Sequence, residues 1–158
     1  MSVIRTMARG DLPAVLDLWR QLMANGAAVE SRWSVAPTAD AWMAGWARDV
    51  FLDPSPFPHG HVYEDDDGIA GFVSGFPDPG SPVLDEPKGL RIGDVFVAER
   101  ARRQGVARRL VEQQIAVAKA VGYTNIIVET LTRDTRAVAF WRAMGFVDMR
   151  VQLRRSED

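Results

Sequence analysis

The residues from 102 to 109 carry the clearest chemistry in this sequence. The segment RRQG at 102–105 lies between an apolar run rich in β-branched residues and a stretch with apolar side chains at helical spacing. A helix that begins after a glycine turn presents unpaired backbone N–H groups and a partial positive charge at its start. With two further arginines at 108 and 109, the pattern predicts a site for a phosphate-bearing ligand. An ordinary polar loop before a helix would explain the same residues equally well.

Several other kinds of site are excluded or disfavoured by the residues that are missing. Neither G-x-x-x-x-G-K-[ST] nor G-x-G-x-x-G after a strand occurs, so nucleotide-hydrolase and dinucleotide loops lose their main support. The chain has no cysteine, which excludes a cysteine nucleophile and thiolate metal ligands. A net charge of −2 argues against nucleic acid as a partner. The pair His59 and His61 would need carboxylates from 65–67 to bind a metal, and we expect no metal site.

Periodicity and turn residues place the turn in a larger fold. We predict strands at 3–7, 61–64, 69–76, 92–98, 124–130 and 146–153, and helices over 11–25, 38–53, 106–122 and 135–144. An Asp-Gly turn at 67–68 joins an antiparallel hairpin, whereas the strand–helix–strand unit around 92–130 implies parallel pairing. The expected fold class is α/β (α+β), with a mixed, mostly antiparallel sheet and helices on both faces. A length of 158 residues favours a single domain over 1–158.

Two short motifs, R-x-x-G-x-A at 102–107 and DTRAVAFWRAMGF at 134–146, resemble those of the GNAT superfamily of acyl-CoA-dependent N-acyltransferases. Arg102, Gly105 and Ala107 match the acyl-CoA pyrophosphate pattern Q/R-x-x-G-x-G/A, and here the motif follows an apolar strand and opens an amphipathic helix. The segment DTRAVAFWRAMGF at 134–146 is similar to the family's N-x-x-A-x-x-F-Y-x-x-x-G-F. It departs from that pattern at Asp134, where Asn is usual, and at Trp141, where Tyr is usual. The resemblance extends over nearly the whole chain.

The resemblance implies acetyl-CoA as co-substrate and no metal. In the family, the strand before the turn bonds the pantetheine arm, backbone amides of the turn bind the pyrophosphate, and the following strand splays away to admit the thioester. These cofactor-binding roles are carried over to Val95, Phe96, Val97, Arg102, Arg103, Gln104, Gly105, Val106, Ala107, Arg108, Asp134, Phe140 and Trp141.

The implied reaction is direct attack of an amine on the thioester carbonyl. An alkyl ammonium has a pKa of about 10.4, so a base is useful at neutral pH. Asp94 is the first candidate and Glu129 the second, although either carboxylate could have a structural role instead. Trp141 cannot replace a tyrosine acid, because an indole N–H is not a usable acid. Another donor such as Tyr63 or water would then serve, or the protein is an inert acyl-CoA-binding module.

The acceptor is an amine of a small molecule or peptide that the sequence does not identify. Trp33, in the loop after the first helix, and Tyr63 are the residues expected to contact it. We expect a soluble, cytoplasmic protein with no membrane partner, because no apolar run approaches the length of a membrane span. A homodimer is compatible with the sequence.

Overall fold

The computed structural model describes residues 1–53 and 55–155, which form five strands and four α-helices. Two single 3-10 turns, Arg9–Asp11 and Glu99–Ala101, lie between them. In chain order the strands and helices are β1 (Val3–Thr6), α1 (Leu12–Val29), α2 (Ala39–Asp49), β2 (Gly60–Asp65), β3 (Gly68–Asp78), β4 (Gly89–Val97), α3 (Val106–Ala120), β5 (Asn125–Val128) and α4 (Thr135–Ala143).

The strands form a sheet in the order β1-β2-β3-β4-β5. Neighbouring strands from β1 to β4 are antiparallel, and β4 pairs with β5 in parallel. Because successive strand residues face opposite sides, Gly75 and Phe76 identify what covers each face. Gln114 of α3 fills the space over Gly75, and Trp46 of α2 packs edge-on against Phe76 with ring centroids 5.5 Å apart. Helices therefore cover both faces, and the predicted mixed, mostly antiparallel sheet is confirmed.

The helix that follows the arginine turn is held to the sheet by a buried polar contact. Gln114 of α3 is fully buried, its amide nitrogen donates to the carbonyl of Pro58 at 2.8 Å, and its oxygen lies 2.6 Å from Nδ1 of His61. The amide oxygen can only accept, so Nδ1 of His61 carries the proton. Burial lowers the pKa of His61, which keeps the ring neutral in the core.

Removing this contact should destabilise the fold. We expect Gln114→Leu to lower the free energy of unfolding by about 1–3 kcal/mol, because a buried donor on His61 and the partly buried carbonyl of Pro58 lose their partner. Urea unfolding followed by circular dichroism measures the change. The neighbouring exposed residue gives a matched control, Gln113→Leu, with an expected change within about 0.5 kcal/mol. Equal stability of the two variants would contradict the assigned role of Gln114.

The first helix continues past the predicted stop at Asn25-Gly26 and ends at Val29. Gly26 lies inside the last turns of the helix, where its carbonyl accepts from the N–H of Glu30, and it contacts the indole of Trp33. A Cβ at Gly26 would lie 2.9 Å from both Cδ1 and Nε1 of that ring. Gly26 is thus a place where the α1–α2 loop folds back on the helix, and the prediction that it ends the helix was wrong.

The predicted strand at 146–153 is also wrong, since residues 146–155 form neither strand nor helix. Arg142 pairs with Asp148 at 2.7 Å and Arg150 with Glu86 at 3.6 Å. The guanidinium of Arg154 donates to the carbonyl of Arg32 at 3.3 Å. The first of these contacts joins the C-terminal segment to α4, and the other two place it beside the loops at 30–33 and 79–88.

Candidate functional site

A β-bulge in β4 creates the first feature of the site. Val73 pairs with Val95 and Gly75 with Ile92, so Ser74 alone faces two residues of β4, Gly93 and Asp94. The hydroxyl of Ser74 accepts a hydrogen bond from the backbone N–H of Asp94 at 2.8 Å. A bulge of this kind bends the strand and re-aims its side chains. It lies at the point where β4 and β5 part.

The parallel ladder between β4 and β5 is short. It runs from the pair Gly89–Asn125 to the pair Ile92–Val128, where β5 ends. The strand β4 continues to Val97, and in the described part of the chain no strand pairs with residues 93–97 on that side. An extended ligand with amide groups can bind such an edge by adding as a further strand. The gap matches the splay implied by the resemblance, and Val95 and Phe96 lie along it.

Asp94 occupies the bulge at the start of this gap. Asp94 is half-buried, and this burial raises the pKa of its carboxyl group from 3.8 to about 6. A carboxyl group with such a pKa is ionised at neutral pH and is a stronger base than an ordinary aspartate. Of the two carboxylates predicted as bases, Asp94 is therefore better suited by its surroundings.

Glu129, the second candidate, is exposed and engaged elsewhere. Its carboxylate lies 2.7 Å from the guanidinium of Arg91, which also contacts Asp78 at 2.8 Å. The residue follows β5 directly, so it stands across the gap from the bulge. This ion pair gives Glu129 a structural role, which is the alternative that the sequence left open. A catalytic role for Glu129 stays a prediction.

Gly93 and Ser74 were missed by the sequence analysis. A Cβ at Gly93 would lie 2.5 Å from Cε2 of Phe76 and 2.7 Å from Oγ of Ser74, so any side chain at this position displaces the groups that form the bulge. The available signal was a glycine within an otherwise apolar strand, which often marks a bulge or a close approach. Trp46 and Phe76, in contact with each other, extend this corner towards α2.

The second feature of the site is the arginine turn. Gly105 precedes α3 with φ = 71°, and Arg103 also has a left-handed backbone with φ = 60°. Among the described residues, no acceptor meets the backbone N–H groups of residues 103–108. Those donors lie at the positive end of the α3 dipole, a combination that binds phosphate groups. The backbone of Gln104, Gly105, Val106 and Ala107 therefore fits the predicted pyrophosphate site.

The arginine side chains of the turn differ in their contacts. Arg103 is exposed, Arg108 lies 3.7 Å from Glu112 on the next turn of α3, and Arg109 lies over the ring of Tyr63. Arg102 folds back on β4, where its Nε donates to the carbonyl of Val97 at 2.9 Å and its guanidinium lies 5.4 Å from the centre of the Phe96 ring.

These contacts change the roles carried over for Arg102 and Val97. Arg102 is a positioning residue that ties the turn to the strand, and in this arrangement its side chain is not directed at a ligand. The carbonyl of Val97 is likewise occupied by a protein donor. Arg103, Arg108 and the backbone N–H groups of the turn remain the candidates for contact with a phosphate.

The three C-terminal residues assigned to the cofactor have structural roles in the fold. The carboxylate of Asp134 accepts from the N–H of Ala137 at 3.0 Å and caps α4. Trp141 is 8% exposed and packs edge-on between Phe140 and Phe146, with ring centroids at 4.9 and 5.2 Å. Trp141 is thus a packed aromatic residue at this position, and contact of these residues with a cofactor stays a prediction.

The two residues expected at the acceptor site are placed differently. Trp33 is 42% exposed in the α1–α2 loop and remains a candidate for contact with the acceptor. Tyr63 is a buried core residue of β2, under Arg109 of α3 and separated from β4 by β3. We no longer assign Tyr63 to substrate binding or to proton donation, because the sheet itself separates its ring from the gap.

The described residues contain no group of three or more His, Asp or Glu side chains arranged to hold a metal ion. No helix among them has the length and apolar character needed to cross a membrane.

Comparison with known proteins identifies a family and several related sequences. Residues 18–146 match the model of a family described as the acetyltransferase (GNAT) family. Human N-acetyltransferase 8 is 35% identical over 85 residues, which are 54% of this chain and 37% of the human protein. N-acetyltransferase 8F1 of the rat is 32% identical over 88 residues, 54% of this chain and 38% of the rat protein. The matched region spans less than half the length of these relatives.

Solved structures with low sequence identity share the fold. The BH1408 protein of Bacillus halodurans superposes with a TM-score of 0.81 at 18% identity, covering 98% of this chain and 99% of that one. The aminoglycoside N-acetyltransferase AAC(6')-Iy, bound to a bisubstrate analogue of CoA and acetylneamine, gives a TM-score of 0.76 at 19% identity, covering 100% and 99%. Glucosamine-6-phosphate N-acetyltransferase of Arabidopsis thaliana gives 0.71 at 18% identity, covering 100% and 99%.

Proposed function

This chain belongs to the GNAT family of acetyltransferases, and from that premise we propose that it transfers an acetyl group from acetyl-CoA to an amine of a small molecule or peptide. The observation that carries the proposal is the joint presence of the free N–H groups at 103–108, the unpaired edge of β4 and the carboxylate of Asp94 where the two strands part. The N–H groups would bind the pyrophosphate of CoA, and the edge of β4 would bind the pantetheine arm. The carboxylate of Asp94 would face the amine.

Binding of CoA places its negative charges at the start of α3. The pyrophosphate accepts hydrogen bonds from the turn amides, and Arg103 and Arg108 add positive charge. The pantetheine amides bond the free edge of β4 at Val95 and Phe96. Each helix-terminus interaction with an anion contributes about 0.3–1 kcal/mol, so several must act together.

The chemical step is addition followed by elimination. The neutral amine nitrogen attacks the thioester carbonyl carbon, and a C–N bond forms. Asp94 accepts the proton that the nitrogen releases, directly or through one water. The C–S bond then breaks, and the sulfur leaves with the bonding electron pair as the CoA thiolate. A thiol has a pKa near 8.5, so the thiolate leaves without a strong acid, consistent with a buried Trp141 where the family often has tyrosine.

A thiol-release assay tests the function. We expect the purified chain to release free CoA from acetyl-CoA at a rate that depends on an added amine from a panel of peptide N-termini, lysine analogues, polyamines and aminoglycosides. Mass spectrometry of the acceptor should record the mass of one acetyl group. Tight binding of acetyl-CoA without release for any member of the panel would contradict the enzymatic proposal and favour an inert CoA-binding module.

A further inference from the structure

One side chain in the described part of the chain is buried without the hydrogen bonds that its polar atoms need. Both ring nitrogens of His59 are shielded from solvent, and neither has a hydrogen-bond partner among the described residues. Nε2 lies 3.3 Å from a carboxylate oxygen of Asp53, but the two atoms are not aligned as a hydrogen bond. Buried polar atoms in folded proteins are nearly always paired, so an unpaired buried ring can indicate a ligand site.

His59 lines a cavity of about 380 Å³ between the end of β1 and the loop that joins α2 to β2. Small-molecule sites begin at about 300 Å³, and most of their surface is apolar, with a few polar groups that fix the orientation of the ligand. This cavity has the same composition. Asp53 and His59 supply polar groups, and the apolar wall includes Met7, Val50, Phe51 and Phe57.

The loop that carries His59 is held in place by contacts with the sheet and with α3. The carbonyl of His59 accepts from the N–H of Gly75 at 2.7 Å. The carbonyl of the preceding residue, Pro58, accepts from the amide of Gln114 at 2.8 Å. The ring of His59 lies beside that of Phe76, with centroids 6.2 Å apart. These contacts preform the cavity, so a ligand does not have to order the loop when it binds.

The charge at the cavity selects the class of ligand. Among the described residues that line it, Asp53 is the only acidic residue and none is Lys or Arg. The side chain of Asp53 is 46% exposed, so a cation can reach it from solvent. An ammonium group that donates to this carboxylate lies beside Nε2 of His59, which accepts a hydrogen bond when the ring proton is on Nδ1. The apolar wall binds a hydrocarbon or aromatic body by removing it from water.

The cavity is separate from the gap between β4 and β5. Thr6 and Met7 place it at the end of β1, whereas Asp94 lies on β4, and the strands β2 and β3 stand between them in the sheet. We propose that the cavity is a binding site for a small amine with an apolar body, in which Asp53 binds the ammonium group and His59 accepts a hydrogen bond from it. The site does not depend on the acetyl-transfer reaction, and it can be tested without acetyl-CoA.

Titration of the full chain with 2-phenylethylamine, followed by NMR of the backbone amides, tests the location and the charge preference of the site. We expect saturable shifts of the signals of residues 6, 7, 50–53, 57 and 59. Phenylacetate has the same ring and the opposite charge, and it should cause no saturable shift of these signals. Shifts confined to residues 93–97 would assign the amine to the gap and overturn the proposal. So would equal binding of phenylacetate, or no saturable shift with the amine.

Matched variants test the roles of the two polar residues. Asp53→Asn should weaken binding of 2-phenylethylamine by about 10-fold or more, because a hydrogen bond to a charged group is lost. His59→Phe keeps an aromatic ring without the nitrogens and should also weaken it. The control is Asp49→Asn, at an exposed aspartate of α2 outside the cavity, which should bind as the parent does. Parent-like binding by the Asp53 variant, or an equal loss in the Asp53 and Asp49 variants, would overturn the proposal.

Discussion

Replacing Asp94 with Asn lowers turnover by about 10²–10⁴-fold while acetyl-CoA affinity stays within a few-fold of the parent, because a general base acts on the amine and not on the cofactor. Steady-state thiol release gives turnover, and calorimetry gives the affinity for acetyl-CoA. The rate of the parent protein should rise as pH passes about 6, because the carboxyl group of Asp94 ionises near this raised pKa. The variant should lack that rise. An unchanged pH profile would exclude Asp94 as the base.

The same substitution should make the protein more stable, which separates a catalytic from a structural role. The pKa of Asp94 is raised in the folded state from 3.8 to about 6, so the folded chain retains this proton at pH values where the unfolded chain has lost it. The free energy of unfolding therefore falls as pH rises from about 4 to 6. Above pH 6 the ionised carboxylate has its full destabilising effect. Above this pH, Asp94→Asn should raise the free energy of unfolding by an amount on the order of 1–3 kcal/mol, reduced by the partial exposure of the carboxylate.

The matched control is Glu129→Gln. This carboxylate is exposed and paired with Arg91, so its loss should change turnover by less than about 10-fold and stability by less than about 1 kcal/mol. Denaturant unfolding at pH 7.5 and at pH 4.5 checks the stability difference. A lower stability of the Asp94 variant at both pH values would identify Asp94 as a structural residue. A large loss of turnover in the Glu129 variant alone would move the base to that residue.

Gly105→Glu should weaken acetyl-CoA binding by about 10²–10³-fold, because like charges about 4 Å apart near a protein surface repel by about 4 kcal/mol. The left-handed backbone at Gly105, with φ = 71°, adds strain for any residue with a Cβ. No atom lies within 4 Å of the position that a Cβ would take, so the variant can fold. Calorimetry with acetyl-CoA measures the affinity.

Two controls separate charge from strain. Gly105→Asn introduces a residue that tolerates the left-handed backbone and carries no charge. This variant should retain most of the affinity for acetyl-CoA. Gly122→Glu places the same substitution at another left-handed glycine with open space, with φ = 89°, beyond the far end of α3. It should bind acetyl-CoA as the parent does. Unchanged affinity in a folded Gly105→Glu variant would show that the turn is not the pyrophosphate site.

Local features of the site could be predicted from neighbouring residues. The turn at 102–105, the start of α3 at Val106 and the strand before it depend on residues a few positions apart, because helix starts and glycine turns are set by short-range backbone preferences. The capping role of Asp134 is equally local, because its carboxylate accepts from the N–H of Ala137 three residues later and Asp is a preferred N-cap residue. The absence of a strand at 146–153 was not predictable in this way, because the contacts of this segment with the loops at 30–33 and 79–88 join residues far apart in the chain.

The sequence by itself determined which elements form around the turn and that the turn offers donors to an anion, since both follow from local periodicity and from one glycine at a helix start. Only the tertiary structure decided the surroundings of Asp94, the proposed base. The bulge at Gly93 and Asp94 depends on Ser74, twenty residues earlier in the chain, and the raised pKa of Asp94 depends on burial by the surrounding chain. Strand register and desolvation are consequences of non-local packing, which periodicity along one segment does not contain.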